Sequence, residues 1–241
     1  MEAPGHGRDP SRMDGEELLG LVQAYQLRYR SMMENPEVRR VFLFRNHGRD
    51  AGASLPHPHA QLVGVAFLPP ELARRERALE DRIRSGGGCP LCGISREEPE
   101  WGRRNVCSTE KFHLLVPWAA EAPYELWVVP RQHRSSFGDA GASDLEDLAF
   151  LLGRSLRLYR TALGSLPYNL MLHSGGRRGD DGGGHWWLQL RPRVGHPAGF
   201  EMASGVFINA GAPEEHGEEL QRAWREREPS ANHGGKGDGK R

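Results

Sequence analysis

Two histidines and a glutamine recur at every second residue in Ser54-Leu55-Pro56-His57-Pro58-His59-Ala60-Gln61, just ahead of the apolar stretch at residues 62–68. Alternate side chains of a β-strand share a face, so His57, His59 and Gln61 are expected to form one row. Such a row suits phosphoryl chemistry. One imidazole attacks phosphorus, a second polar group fixes the ring, and an amide donates to the phosphoryl oxygens. The same residues in a solvated loop would do no chemistry, and the spacing alone leaves both readings open. A second chemical pattern is Cys89-Pro90-Leu91-Cys92. Two thiolates on one tight turn supply half of a tetrahedral zinc site. A redox pair is the alternative, but a redox motif is expected to open a helix, and none is expected at this run. The third cysteine, Cys107, reads as a small buried filler, and His113, inside an apolar run, as a structural histidine.

The elements that must position these residues follow from periodicity and turn chemistry. Residues 14–34 read as a helix with Asp14 as its cap and Leu18, Leu19, Val22, Tyr25 and Leu27 near helical spacing. Pro36 ends it. Residues 41–44 form a short strand and residues 46–50 a turn. The histidine row then leads into its own strand, and a charged helix is expected over 71–84. Gly86-Gly87-Gly88 makes a flexible joint and places a boundary between residues 1–85 and 86–227. In the second part, strands are expected at 112–117, 126–130, 169–173 and 185–192. A long helix over 143–163 has Ser143 as its cap and Glu146 in the capping-box position. Residues 175–184, with Arg177 and Arg178 at the centre, read as a flexible insert, and residues 228–241 as a disordered tail.

The chain has 241 residues, with 32 basic and 32 acidic side chains. It is long enough for an adequate core. The balanced charge argues against a nucleic-acid partner. No apolar run is long enough to span a bilayer, so no membrane partner is expected. The first ten residues lack the apolar core of a signal peptide, and three cysteines without a disulfide pattern suit a reducing, cytoplasmic location.

Taken together, Ser54 to Gln61 resembles the active-site signature of the galactose-1-phosphate uridylyltransferase family, a branch of the histidine-triad superfamily. Further matches follow in order: Cys89-Pro90-Leu91-Cys92, the run from Pro123 to His133, Pro167-Tyr168-Asn169 with His173, the run from His185 to Gln189, and Gly199-Phe200-Glu201-Met202. The resemblance runs from about residue 3 to residue 224. It implies an α+β fold of histidine-triad-like antiparallel sheets with helices, one half partial and one complete. Family members usually begin with about another hundred residues, so the resemblance also implies that the N-terminal part of the first half is missing.

The resemblance further implies the roles of the residues. His59 is the nucleophile that attacks the α-phosphorus of a nucleotide sugar, giving a nucleotidyl-histidine and a hexose 1-phosphate. Gln61 donates to the phosphoryl oxygens, Ser54 contacts phosphate, and His57 is a metal ligand or ring-orienting group. A zinc ion is held by Cys89, Cys92, His133 and His185. His173 is a metal-binding or packing residue. The second half is catalytically silent, because Trp187 and Gln189 stand where its nucleophile would be. The implied activity is uridylyl transfer between a nucleotide sugar and a hexose 1-phosphate in a homodimer. Two alternatives stand beside it: adenylyl transfer by an ADP-glucose phosphorylase-like enzyme, and a truncated, non-catalytic, zinc-stabilised module.

Overall fold

Among the described residues, seven antiparallel strands form one sheet, with its main core on one face and a smaller cluster on the other. The structure is a computed structural model and describes residue 2 and residues 9–176 and 184–226. The expectations for Arg177 and Arg178 and for the tail at 228–241 lie outside the described residues.

Helix α1 (Gly15–Glu34) starts at a capping box: the Asp14 carboxylate accepts from the Glu17 amide at 2.9 Å, and the Glu17 carboxylate accepts from the Asp14 amide at 3.0 Å. Both bonds satisfy amides that have no partner inside the helix. Leu18, Leu21, Val22, Tyr25 and Tyr29 are buried along one stripe, while Leu27 points to solvent on the opposite side. Then follow β1 (Arg40–His47), β2 (Gln61–Val65), α2 (Pro70–Arg84), α3 (Pro90–Trp101), β3 (Asn105–Ser108), β4 (Phe112–Leu115), β5 (Leu126–Pro130), α4 (Ala142–Ala162), β6 (Tyr168–His173), β7 (Trp187–Pro192), α5 (Gly199–Ser204) and α6 (Pro213–Arg225).

The strand order is β2-β1-β6-β7-β5-β4-β3. Residues on both sides of the glycine joint therefore share one sheet, with β1 pairing β6 from Leu43 opposite Leu172 to His47 opposite Tyr168. α1 and α4 lie together on one face of the sheet. Val41, Leu43, Leu114, Leu126, Val128, Leu170, Leu172, Leu188 and Leu190 all join the core cluster that they help to form. Where the two helices cross, Leu18 occupies the space a Cβ on residue 153 would need, so glycine there permits the close approach. On the opposite face Leu115 and Val129 pack with Leu91 of α3.

Several local expectations are corrected. β1 runs on through Asn46 and His47, because β6 supplies a pairing partner that no local signal reveals. β2 begins only at Gln61, so His57 and His59 precede the strand. Pro56 and Pro58 lack the N–H groups that would continue the ladder. Cys89 and Cys92 do open a helix, α3, with Cys89 at the cap and Pro90 in the first turn. α4 is capped two residues earlier than expected: the Asp144 carboxylate accepts from the Gly141 amide at 2.7 Å, leaving Ser143 and Glu146 out of the box. His185 lies before β7 rather than within it. The sequence pattern does not predict β3, α5 or α6.

Candidate active site and metal centre

The loop from Gly48 to Ala60 joins β1 to the edge strand β2 and carries Ser54, His57 and His59. It leaves β1 at Gly48, whose φ of 82° is accessible mainly to glycine; a Cβ there would also lie 2.9 Å from Pro167. A short 3₁₀ turn, Arg49–Ala51, follows. His57 is buried at 9% exposure, and its backbone carbonyl lies 2.8 Å from His59 Nδ1. A carbonyl can only accept, so Nδ1 carries the proton. That fixes the neutral tautomer whose lone pair sits on Nε2, the form an attacking imidazole needs.

Gln61 is exposed at the start of β2, opposite Phe44. Ser54 and His57 line a cavity of about 840 Å³ that also takes in Arg12, Arg49 and Arg160. The cavity wall is tied down by Arg45, which is buried and bonds Glu2 at 2.7 Å, Asp9 at 3.2 Å and the Tyr168 hydroxyl at 2.6 Å. Among the described residues, His57 belongs to no group of three or more metal-ligating side chains.

Such a group does form on the other side of the sheet. Cys89, Cys92, His133 and His185 each bring a ligand atom within 4.8 Å of the others. Topology explains the meeting. β5 and β7 are antiparallel neighbours, so the chain leaving β5 toward His133 and the chain entering β7 from His185 run side by side. The Trp186 amide donates to the Arg134 carbonyl at 2.9 Å and holds the two segments together. α3 is seated beside them by Leu91 and Ile94, which pack with Trp127 and Trp187.

The separations are 3.2 Å from Cys92 Sγ to His133 Nδ1, 3.6 Å from Cys92 Sγ to His185 Nδ1, and 3.8 Å from Cys89 Sγ to His185 Nδ1. Tetrahedral bonds of about 2.3 Å to sulfur and 2.0–2.1 Å to nitrogen put such atoms roughly 3.6 Å apart. The donor set thus fits a tetrahedral metal ion. Burial, and then the neighbouring His133, lower the His185 pKa to about 4, which keeps its imidazole neutral as a metal ligand requires. Burial and the adjacent Cys89 push the Cys92 thiol up to about 11, so without a cation the two sulfurs resist ionising together.

A family model described as the N-terminal domain of galactose-1-phosphate uridyl transferase matches residues 3–69, the stretch that includes Ser54, His57, His59 and Gln61. ADP-glucose phosphorylase of Arabidopsis thaliana is 28% identical over 218 residues, covering 89% of this chain and 61% of the relative. Galactose-1-phosphate uridylyltransferase of Thermotoga maritima is 29% identical over 210 residues, covering 83% and 65%. The solved structure of an Arabidopsis thaliana ADP-glucose phosphorylase with bound ADP-glucose superposes with a TM-score of 0.83 at 26% identity, covering 91% of this chain and 69% of that one. The chain is similar to the galactose-1-phosphate uridylyltransferase family. It spans less than two thirds of the length of these two curated relatives.

His173, His113 and Cys107 have structural surroundings. His173 stacks on Trp187 with ring centroids 4.3 Å apart, and its Nε2 lies 2.6 Å from the Gln189 carboxamide oxygen. Burial lowers its pKa to about 4. His113 bonds Ser108 at 2.7 Å, and Cys107 packs at the margin of the main core.

Two polar groups have positions that sequence reasoning did not assign. Glu125 is fully buried and accepts from Trp127 Nε1 at 2.6 Å and from Gln189 Nε2 at 2.8 Å. Asn169 ties β6 to Asn46 and to the Ala51 carbonyl. Both depend on partners far away in sequence; the one local hint was polar residues interrupting apolar strands.

Proposed function

We propose that this chain carries a nucleotidylyltransferase site that moves UMP between a nucleotide sugar and a hexose 1-phosphate through a nucleotidyl-His59 intermediate. The observation that carries the reading is the 2.8 Å contact of His59 Nδ1 with the His57 carbonyl, which leaves Nε2 as the nucleophile. In the first half-reaction the Nε2 lone pair attacks the α-phosphorus. A phosphorus–nitrogen bond forms, the bond from that phosphorus to the bridging oxygen breaks, and hexose 1-phosphate leaves with the electron pair. In the second, a phosphate oxygen of an acceptor attacks the same phosphorus, and Nε2 leaves with its lone pair restored. The His57 carbonyl keeps the proton on Nδ1 throughout and stabilises the positive charge that the ring gains when substituted. Gln61 donates to the phosphoryl oxygens as their charge grows, and Ser54 contacts phosphate from the cavity side.

Zinc is the metal this reading assigns to Cys89, Cys92, His133 and His185. The Cys₂His₂ set fills all four tetrahedral positions with protein ligands and leaves none for substrate, so its contribution is structural. A reducing, cytoplasmic setting keeps both thiols available. No helix among the described residues is long and apolar enough to cross a membrane. The exposed apolar residues Phe200, Met202, Val206, Phe207 and Ile208 offer a surface for the homodimer.

Adenylyl transfer is the second reading, supported by the alignment with ADP-glucose phosphorylase over 89% of this chain. Intact-protein mass spectrometry after mixing the chain with UDP-glucose, and separately with ADP-glucose, tests both. A gain of one nucleoside monophosphate that is absent in His59→Asn supports nucleotidyl transfer, and the added mass names the base. A folded protein that gains no mass with either sugar nucleotide overturns the reading.

A further inference from the structure

We propose that Asn169 is a positioning residue for His59, its carboxamide clamping the root of the loop that carries the nucleophile. This deepens the transfer reading above and rests on it for the identity of the positioned group. Asn169 lies on β6 directly opposite Asn46 of β1 and is 7% exposed. Its Nδ2 donates twice, to Asn46 Oδ1 at 2.8 Å and to the Ala51 carbonyl at 2.9 Å. Its Oδ1 accepts from Arg193 Nε at 2.7 Å. The carboxamide thus serves two acceptors with its nitrogen and one donor with its oxygen, a combination only an amide supplies.

Ala51 is buried and closes the 3₁₀ turn just before residues 52–60. Those nine residues carry Ser54, His57 and His59 and belong to no strand. Their downstream end is fixed where β2 pairs with β1 at Gln61. Their upstream end is fixed by the Ala51 carbonyl on Asn169, beside Gly48 packed on Pro167. The strand itself has no need of the side chain, since β6 pairs through its backbone with β1 on one side and β7 on the other. A carboxamide that does not hold its own strand but holds the loop opposite acts on the loop. A shift of about 1 Å in a reacting group can cost about 10²-fold in rate.

The test uses the full chain with Asn169→Asp and Asn169→Ser. The Asn169→Asp change is nearly isosteric, yet it sets carboxylate oxygens against two acceptors where the amide nitrogen donated to them. Amide hydrogen exchange should quicken about tenfold or more over residues 51–60 while β6 and β7 keep their protection. Formation of nucleotidyl-His59 should slow about 10–100-fold with KM changed less than about threefold. Gln26→Ala is the stability control, because it removes buried hydrogen bonds to the Phe137 and Ala140 carbonyls, away from this loop. It should lower the unfolding temperature without either loop effect. Unchanged loop exchange in a folded Asn169→Asp protein overturns the clamp. So does a slowing no greater than in a Gln26→Ala protein of equal stability. If the unsubstituted chain forms no adduct, the transfer reading fails; the exchange comparison then decides the clamp by itself.

Discussion

Cys89, Cys92, His133 and His185 stand at the ends of regular elements: the first turn of α3, the exit of β5 and the entry to β7. Those elements are bound into the middle of the sheet and seated on Leu91, Leu115 and Val129. Ser54, His57 and His59 stand instead on an irregular loop against the edge strand, held by a glycine turn, a proline contact and side-chain hydrogen bonds. The Cys₂His₂ cluster is thus placed by packing that also stabilises the fold, so loss of one of its side chains should be felt as lost stability. The histidine loop is placed by polar tethers that add little to the core. Its residues should be replaceable with large effects on chemistry and small effects on folding.

The largest expected effect tests the loop side of this contrast. His59→Asn should abolish nucleotidyl transfer, a loss on the order of 10⁴-fold or more, while thermal unfolding and metal content stay those of the unsubstituted chain. A His59→Asn protein that still forms the adduct would move the nucleophile elsewhere. Cys89→Ser tests the other side. It should lose the bound metal and several kcal/mol of stability, because structural zinc binding is folding free energy. Metal analysis together with thermal unfolding checks this. Unaltered unfolding with full metal content would remove the cluster from its structural role.

The contrast also governs what could be read from the sequence. The helix at Asp14 was legible because its cap and its apolar stripe are local signals. Cys89 and Cys92 announced themselves by spacing, and the meeting with His133 and His185 follows once β5 and β7 are neighbours. The period of two at His57, His59 and Gln61 suggests a strand, but Pro56 and Pro58 delay its start to Gln61. The extension of β1 through His47 and the grip of Asn169 on Ala51 depend on a β1–β6 pairing that spans more than a hundred residues. Only the tertiary structure supplies that pairing. The helix opened by Cys89 shows that helical placement does not separate a redox pair from a metal site; the two histidines, not the backbone, argue for a metal.

Gln61→Ala gives a smaller, sharper measure of how independent the loop is. Gln61 is exposed and sits on the edge strand, so unfolding should shift by no more than about 0.5 kcal/mol. Removal of one donor to the phosphoryl oxygens should slow adduct formation about 10²–10³-fold. A large stability loss in this variant, or an unchanged rate, would break the separation of roles between the two regions.

The smallest effect comes from pH, and it reports on the aromatic wall beside the Cys₂His₂ cluster. His173 has its folded pKa lowered by burial to about 4, while an unfolded histidine titrates near 6.5. Between those values the unfolded chain binds the proton and the folded one does not, so stability rises with pH across this window. The contribution is fully present above about pH 6.5 and is lost as the pH falls toward 4. Its size is on the order of 1–3 kcal/mol, since one pKa unit corresponds to about 1.4 kcal/mol. His113 has a similarly lowered pKa of about 4, so the total acid dependence of the chain does not isolate either group. The difference between the unsubstituted chain and His173→Gln does. Glutamine carries an amide nitrogen in place of Nε2 that can still donate to Gln189 but cannot take up a proton, so urea unfolding from pH 7 to 4 should show a shallower loss of stability in the variant. Parallel pH curves for the two proteins would mean that the His173 ring is protonated as readily in the fold as out of it, and that its stacking on Trp187 does not require the neutral form.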